Sequence, residues 1–516
     1  MKYTILLPLL LLMSADHLHG FDEHDECLHD NKEWVKVLET AKDGAVVSGR
    51  KEALQESVKH GARIKFGTND YFAEVDNCRN INGDVCCQAL MHISKSGWNA
   101  FQGNAYWWMS NICTTGNWHM IRYNVGSTNL SESRLTSAFK WFVLKTNYQQ
   151  PVYSTFANGT FKLGSVDTLL SAVLQGKSIS VSQQQNVVFH VQNIEIFNTG
   201  SDGKATVSAE HIWSVSQSVA GNHLEFQGNA YWWFLILNTA GTRDMSRWSV
   251  GSHTPRGQSR DNVDTNWFVD PCWVPVHTYS GLGSDSLWTR YILKLLIEAG
   301  HNVRVKFGDT IVGAESIRLT ETHVAVQSIS ALARADSKTF ESDLNWEFRV
   351  LGTTGAVRTY RPLVGSSSAS PLGYTIDRQE MTWYVDTRKW RLLFHLLTDG
   401  TVVKGSALDV RNAVEDGADI RVAFKLPDDP GFRYHKADNL ALGPTPNVAA
   451  QIVRALRDNQ TSCDEFEFDQ SPQWSFKLIT TTGFVLNSNW VVGEHVNKGR
   501  TSERAEMQWF ASVKGA

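Results

Sequence analysis

Apolar and polar positions along this chain fall into one pattern that is written four times. Trp107, Trp232, Trp346 and Trp474 align, with a Phe six residues before each (Phe101, Phe226, Phe340, Phe468). A Gly stands nine residues after each Trp (Gly116, Gly241, Gly355, Gly483), and a Val-Gly pair ends nineteen residues after it (Gly126, Gly251, Gly365, Gly493). An aromatic pair closes every copy: Trp141-Phe142, Trp267-Phe268, Trp383-Tyr384 and Trp509-Phe510. Self-similarity at a fixed period is the signature of repeated structural units.

Upstream of each anchor lies a helical stretch. Gly49 to Gly61, Gly164 to Gly176 and Gly405 to Gly417 bracket Leu54 and Val58, then Leu170, Val173 and Leu174, then Val410 and Val414. Spacings of three and four predict a short amphipathic helix that stops at Gly; the third copy has a longer version, Leu287–Ala299 before Gly300. Strand-like runs follow at Arg63–Phe66, Ser178–Val181, Arg304–Phe307 and Arg421–Phe424, where polar and apolar residues alternate as on a half-buried strand. The helix-end Gly lies 46 residues before the anchor in copies one and three, but 56 and 57 in copies two and four. The simplest account is an ancestral pair duplicated once more. The expected fold is therefore mainly β with short helices: four tandem homologous units, each like a β-barrel or sandwich with one short amphipathic helix. Their expected limits are 31–148, 149–271, 272–387 and 388–516. A four-bladed propeller is the rival, and units this long exceed the ~40–45 residues of a blade.

The N-terminus changes the picture of location. Lys2, the apolar run Ile5–Met13 and small or polar residues at Ser14 and Ala15 read as a signal peptide over 1–20. No later run reaches the length needed to span a bilayer, so a secreted, extracellular protein is expected. Sequons at Asn129, Asn158 and Asn459 are candidate glycan acceptors on that route. Of seven cysteines, Cys27, Cys78, Cys86, Cys87 and Cys113 lie in the first quarter. One or two bridges are expected there. Cys86 and Cys87, on opposite faces of a strand, need different partners. The odd total leaves a free thiol or an intermolecular disulfide.

Composition adds exclusions. With 49 Lys+Arg against 53 Asp+Glu and a net charge of −4, neither nucleic acid nor an anionic membrane surface is an expected partner. No zinc-type Cys/His spacing, nucleophile elbow, metalloprotease helix or phosphate-binding loop occurs, so no cofactor and no metal are expected. His17, His19, His24 and His29, set among acidic residues, are the weak metal candidates. Ser284 and Ser286 suit a helix N-cap better than a nucleophile.

Candidate chemistry rests on comparing the copies. Around the anchors, Trp and then Met or Phe recur in every copy and define a core face. The alternate face carries Tyr106 and Trp108, or Tyr231 and Trp233, in copies one and two, but Asn345 and Glu347, or Gln473 and Ser475, in the others. That second face is expected to meet water. Its aromatics stand in the longest exact repetition of the chain, residues 101–108 and 226–233. Clustered exposed aromatics mark binding surfaces, and Gln102, Asn104, Gln227 and Asn229 add amides that suit sugar rings or a small aromatic ligand. Packing of the first two units against each other is the competing explanation of the same aromatics. The functional expectation is a secreted protein binding a carbohydrate or small aromatic or apolar ligand. Two alternatives remain beside it: a secreted, for example oxidative, enzyme with a Trp-lined pocket, and a matrix protein using its repeats multivalently.

Overall fold

The computed structural model describes residues 34–512, apart from 61, 94–105, 125–129, 145–150, 159, 176, 184–186, 191–192, 200–203, 217–229, 250–254, 271–272, 281–286, 315, 320–322, 333–344, 361–373, 387–389, 430, 456–472 and 492–496. The chain is mainly β: the described residues hold 64% strand, four helices and several sheets. The signal-peptide segment and the four N-terminal histidines lie outside the described residues.

Helices α1 (Lys51–Lys59), α2 (Val166–Leu174), α3 (Leu287–Glu298) and α4 (Ala407–Glu415) stand where the three-and-four periodicity puts them. Leu54 and Val58, Val410 and Val414, and Leu293 and Ile297 are buried stripes of α1, α4 and α3. In α2 the buried stripe is Leu169, Ala172 and Val173, so Leu174, expected inside, is exposed. Ser165 and Ser406 cap α2 and α4 by accepting the amides of Thr168 and Asp409. The glycine ahead of α4 has its own cause. Gly405 has φ +62°, and a Cβ there would lie 1.7 Å from the Leu393 carbonyl oxygen. Only Gly fits such a left-handed close approach.

Each helix accompanies a small sheet. In the first of these sheets the order is Val46–Gly49, Trp34–Thr40, Phe139–Leu144, Ile64–Gly67 and the early half of Tyr71–Ile81. Antiparallel meanders follow: Asp84–Ile93, Tyr106–Cys113, Asn117–Asn124 and Leu130–Thr136 in the first segment, and Lys204–Ser216, Ala230–Asn238, Thr242–Ser249 and Pro255–Asn262 in the second. Val324–Leu332, Asn345–Gly352, Ala356–Tyr360 and Tyr374–Arg378 form the third. Val448–Ala455, Gln473–Thr480, Phe484–Val491 and Asn497–Arg504 form the fourth.

The sheets cross from segment to segment. Val188 of the second segment pairs with Cys78 of the first, and Thr310–Val312 of the third pair with Asn193–Glu195 of the second. Arg433–His435 of the fourth pair with Ser316–Arg318 of the third, and Tyr71–Ala73 of the first pair with Asn439–Ala441 of the fourth. The cycle of pairings thus returns to its start. Among the described residues no barrel closes, so of the expected barrel-like or sandwich-like units the barrel form is not found. Strand Tyr71–Ile81 belongs to two sheets and links them edge to edge, with a bulge between Asp76 and Arg79 where it passes from one to the other. The shape follows from hydrogen bonding: the strand that leads into each meander has a second edge to fill, and a strand of the next segment pairs with it.

The closing aromatics Trp141, Trp267, Trp383 and Trp509 are the centres of four buried clusters, each fully enclosed. Two disulfides form, Cys78–Cys87 and Cys86–Cys113. The adjacent pair therefore takes different partners, as strand alternation demands. Cys27, Cys272 and Cys463 lie outside the described residues. No helix among the described residues is long and apolar enough to cross a membrane.

Candidate functional site

The anchor tryptophans meet one another. Trp107 stands edge-on to Trp232, with ring centroids 5.4 Å apart at 89°, and to Trp474 at 5.7 Å and 90°. Trp474 meets Trp346 at 5.5 Å and 86°, and Trp346 meets Phe234 at 5.5 Å and 79°. Phe476 and Phe348 fill the layer beneath, 5.3 Å from Trp107 and 5.6 Å from Trp474. Each edge-to-face pair adds about 0.5–1.5 kcal/mol beyond area burial. The four indoles come from four separate meanders, and all four remain half-buried rather than enclosed. Directly below, Met109, Phe234, Phe348 and Phe476 are buried.

Register explains this convergence. Trp107 faces His92 and Tyr123 across the first meander, and Trp474 faces Ala455 and Trp490 across the fourth. One face of each meander, with the anchor Trp and the Met or Phe two residues on, packs against the other meanders. The opposite face packs into the segment's own core.

That second face corrects the sequence reading. Trp108, expected in water, is 8% exposed and packs in the core with Leu54, Val75 and Trp141. The Arg122 guanidinium lies over its ring at 5.1 Å, a cation–π contact. Ser475, taken as a sign of exposure in the fourth copy, is buried as well. The physical reason is that both faces of the meander are covered, so a short polar residue there reports a filled interior position, not water. For Trp233 the backbone register sets Arg247 opposite it, as Arg122 stands opposite Trp108. An Arg fourteen residues after the second Trp in both copies is the signal that sequence reasoning passed over. The side chains of Tyr106, Tyr231 and Trp233, and residues Gln102, Asn104, Gln227 and Asn229, lie outside what the structure describes. So do the sequons at Asn129 and Asn459, while Asn158 is exposed.

A second polar constellation lies where the fourth segment meets the first. The Lys65 ammonium is buried and donates to the carbonyls of Gly417 and Ala418, at 2.8 and 3.3 Å, and to Asp419 Oδ1 at 2.9 Å. Trp34 donates its indole N–H to the same carboxylate at 2.9 Å, and its ring lies 4.2 Å from the ammonium. Burial pulls the Lys65 ammonium below its ordinary range, against the pull of Asp419. Nearby, Glu74 takes Arg63 and Lys436 as partners. Burial pushes this carboxyl up, but the two cations outweigh it and hold it well below the usual range.

The same place in other segments repeats the logic. Lys65, Ser180, Arg304 and Arg421 face Phe142, Phe268, Tyr384 and Phe510 across the strand pair. Arg421 donates to the carbonyls of Gly300, at 2.8 Å, and His301, and Arg304 donates to Lys177 O at 2.6 Å. Each of these cations binds carbonyls two or three residues past the C-terminal end of the preceding segment's helix, on the side where the helix dipole is negative. These groups hold segments together. Every charge has a partner, so the arrangement reads as structural rather than catalytic.

Among the described residues no group of three or more His, Cys, Asp or Glu is placed to hold a metal ion. Comparison with protein-family models, with curated proteins and with solved structures finds no match.

Proposed function

We propose that the chain is a secreted glycoprotein of four tandem homologous units, closed into a ring, that binds a small aromatic ligand or a sugar on the indoles of Trp107, Trp232, Trp346 and Trp474. The single observation behind this reading is the convergence of those four half-buried rings from four segments. The closing tryptophans Trp141, Trp267, Trp383 and Trp509, by contrast, are fully enclosed. Rings left part-open in a cluster present flat apolar faces to a ligand. The unit limits 31–148, 149–271, 272–387 and 388–516 are supported by the four-fold sequence register and by the cyclic strand pairing. Gln102, Asn104, Gln227 and Asn229 enter the reading on sequence grounds alone, a few residues ahead of Trp107 and Trp232. Secretion is supported by the N-terminal apolar run and by the two disulfides.

The test is tryptophan fluorescence during titration with two probe classes, 1-anilinonaphthalene-8-sulfonate and a set of methyl glycosides. One class is expected to shift or quench wild-type emission saturably. The response is expected to fall at least tenfold in affinity in the double variant Trp107→Leu, Trp474→Leu and to persist in Trp118→Phe, whose ring is buried elsewhere in the first segment. A silent wild type with both classes, or an unchanged double variant, would end the proposal.

A further inference from the structure

Three hairpins at the outer edges of the small sheets share one design. Ala41 to Ala45, Phe156 to Thr160 and Leu397 to Thr401 are five-residue turns closed by the same backbone hydrogen bond, first N–H to last carbonyl, at 2.8, 2.9 and 2.8 Å. The third residue of each is Asp43, Asn158 or Asp399. Its side-chain oxygen accepts the amide two residues on, at 3.0, 3.0 and 2.8 Å. The fold therefore asks for an acceptor oxygen, which Asp and Asn supply equally. Only the second segment uses Asn, and it does so with Thr160 two residues later.

We propose that Asn158 is an N-linked glycan attachment site, an inference that rests on the secreted reading above. The Thr160 hydroxyl donates to Asn158 Oδ1 at 2.6 Å, and the Thr160 amide donates to the same oxygen. Both hydrogen bonds fall on Oδ1, and Nδ2 donates to no described group. Asn158 is exposed, and the following strand Phe161–Gly164 pairs only with Tyr153–Thr155 among the described strands, so its outer edge is open. In the transfer, Nδ2 forms a C–N bond to the anomeric carbon of an oligosaccharide carried as a lipid diphosphate. The diphosphate leaves with the bonding pair, and Nδ2 gives up one proton. The change is redox-neutral. Beside the turn, Phe156 and Leu163 are each 43% exposed, and a glycan here would cover an edge that otherwise invites strand pairing.

Expression in cultured animal cells tests this, with the chain carrying either its own N-terminus or a known export leader. Glycosidase release in heavy-oxygen water, followed by peptide mapping, is expected to mark Asn158 in protein from the medium. Asn158→Gln and Thr160→Ala are expected to lose that glycan. Asp399→Asn, which leaves the fourth-segment turn intact and places an Asn two residues before Thr401, is expected to gain one. Marking of Asn158 only with the foreign leader would sustain the site and refute secretion. Exported protein with Asn158 unmodified would overturn the site itself.

Discussion

Two of the junctions between segments are built from different chemistry. Where the fourth segment meets the first, a buried Lys65 ties the end of α4 to strand Ile64–Gly67 through two carbonyls and Asp419. Where the first meets the second, the matching position is Ser180, which carries no charge. What stands beside the second seam instead is a pair of disulfides inside the first segment. Val188 pairs with Cys78, which is bonded to Cys87, and the neighbouring Cys86 is bonded to Cys113. A buried ion pair contributes little net stability but penalises every arrangement that leaves its charge alone. A disulfide works largely by restricting the unfolded chain. The first seam is thus specified by what it would cost to mispair, the second by bracing the strand it is built on.

Reduction is the strongest way to break the comparison. Bridges spanning 9 and 27 residues stabilise by about 3 kcal/mol each in the chain-entropy picture. Reducing both is expected to lower the unfolding free energy by ~6 kcal/mol in that picture. Hydrogen exchange should rise first in Val187–His190 and later in Asn439–Leu442. Equal loss of protection at the two strands would refute the assignment of the bridges to one seam.

Lys65→Ala comes next. Removing one partner of a buried pair leaves Asp419 uncompensated and costs about 3–5 kcal/mol, read by denaturant unfolding. Lys65→Ala with Asp419→Ala should recover part of that loss. Additive costs would show that the two groups do not act as a pair.

Glu74 gives the seam a pH signature. Its folded carboxyl titrates below its unfolded value, so its contribution is present above about pH 4.5 and is lost as pH falls below that. Acid is therefore expected to loosen Asn439–Leu442 before Val187–His190, and Glu74→Gln should flatten the acid limb. A wild-type acid limb unchanged by that variant would remove Glu74 from the account.

These contrasts mark how far the sequence could be read. Helix positions were legible because Leu54 and Val58, or Val410 and Val414, repeat at helical spacing and meet a single buried layer. The strand content was legible for the same local reason. The ring of pairings was not, because hydrogen bonding between Asn439 and Ala73 leaves no mark on periodicity. The face carrying Trp108 was misread on the same account. A residue's exposure depends on what covers it, and Ser475 is buried although its own sequence neighbourhood reads as polar. The buried cations were visible only as strand residues, and their role emerged from what lies opposite: Phe142, Phe268, Tyr384 and Phe510 bring Lys65, Ser180, Arg304 and Arg421 into one register.

The smallest expected effect is at Ser180, and it separates two accounts of why that position is uncharged. If the first-to-second seam relies on its braced strand, Ser180→Ala removes no more than one hydroxyl's hydrogen bonding, about 1 kcal/mol. That is several times less than Lys65→Ala, and the ranking should hold in denaturant unfolding under oxidising conditions. If instead Ser180 organises the end of α1 as Lys65 organises the end of α4, the two costs will match, and amides at the α1 terminus will lose protection as those at the α4 terminus do in Lys65→Ala. With the bridges reduced, the braced account makes a further demand. The seam then has neither charge nor a braced strand, so the Ser180→Ala penalty should no longer register in global unfolding, because the seam opens locally first.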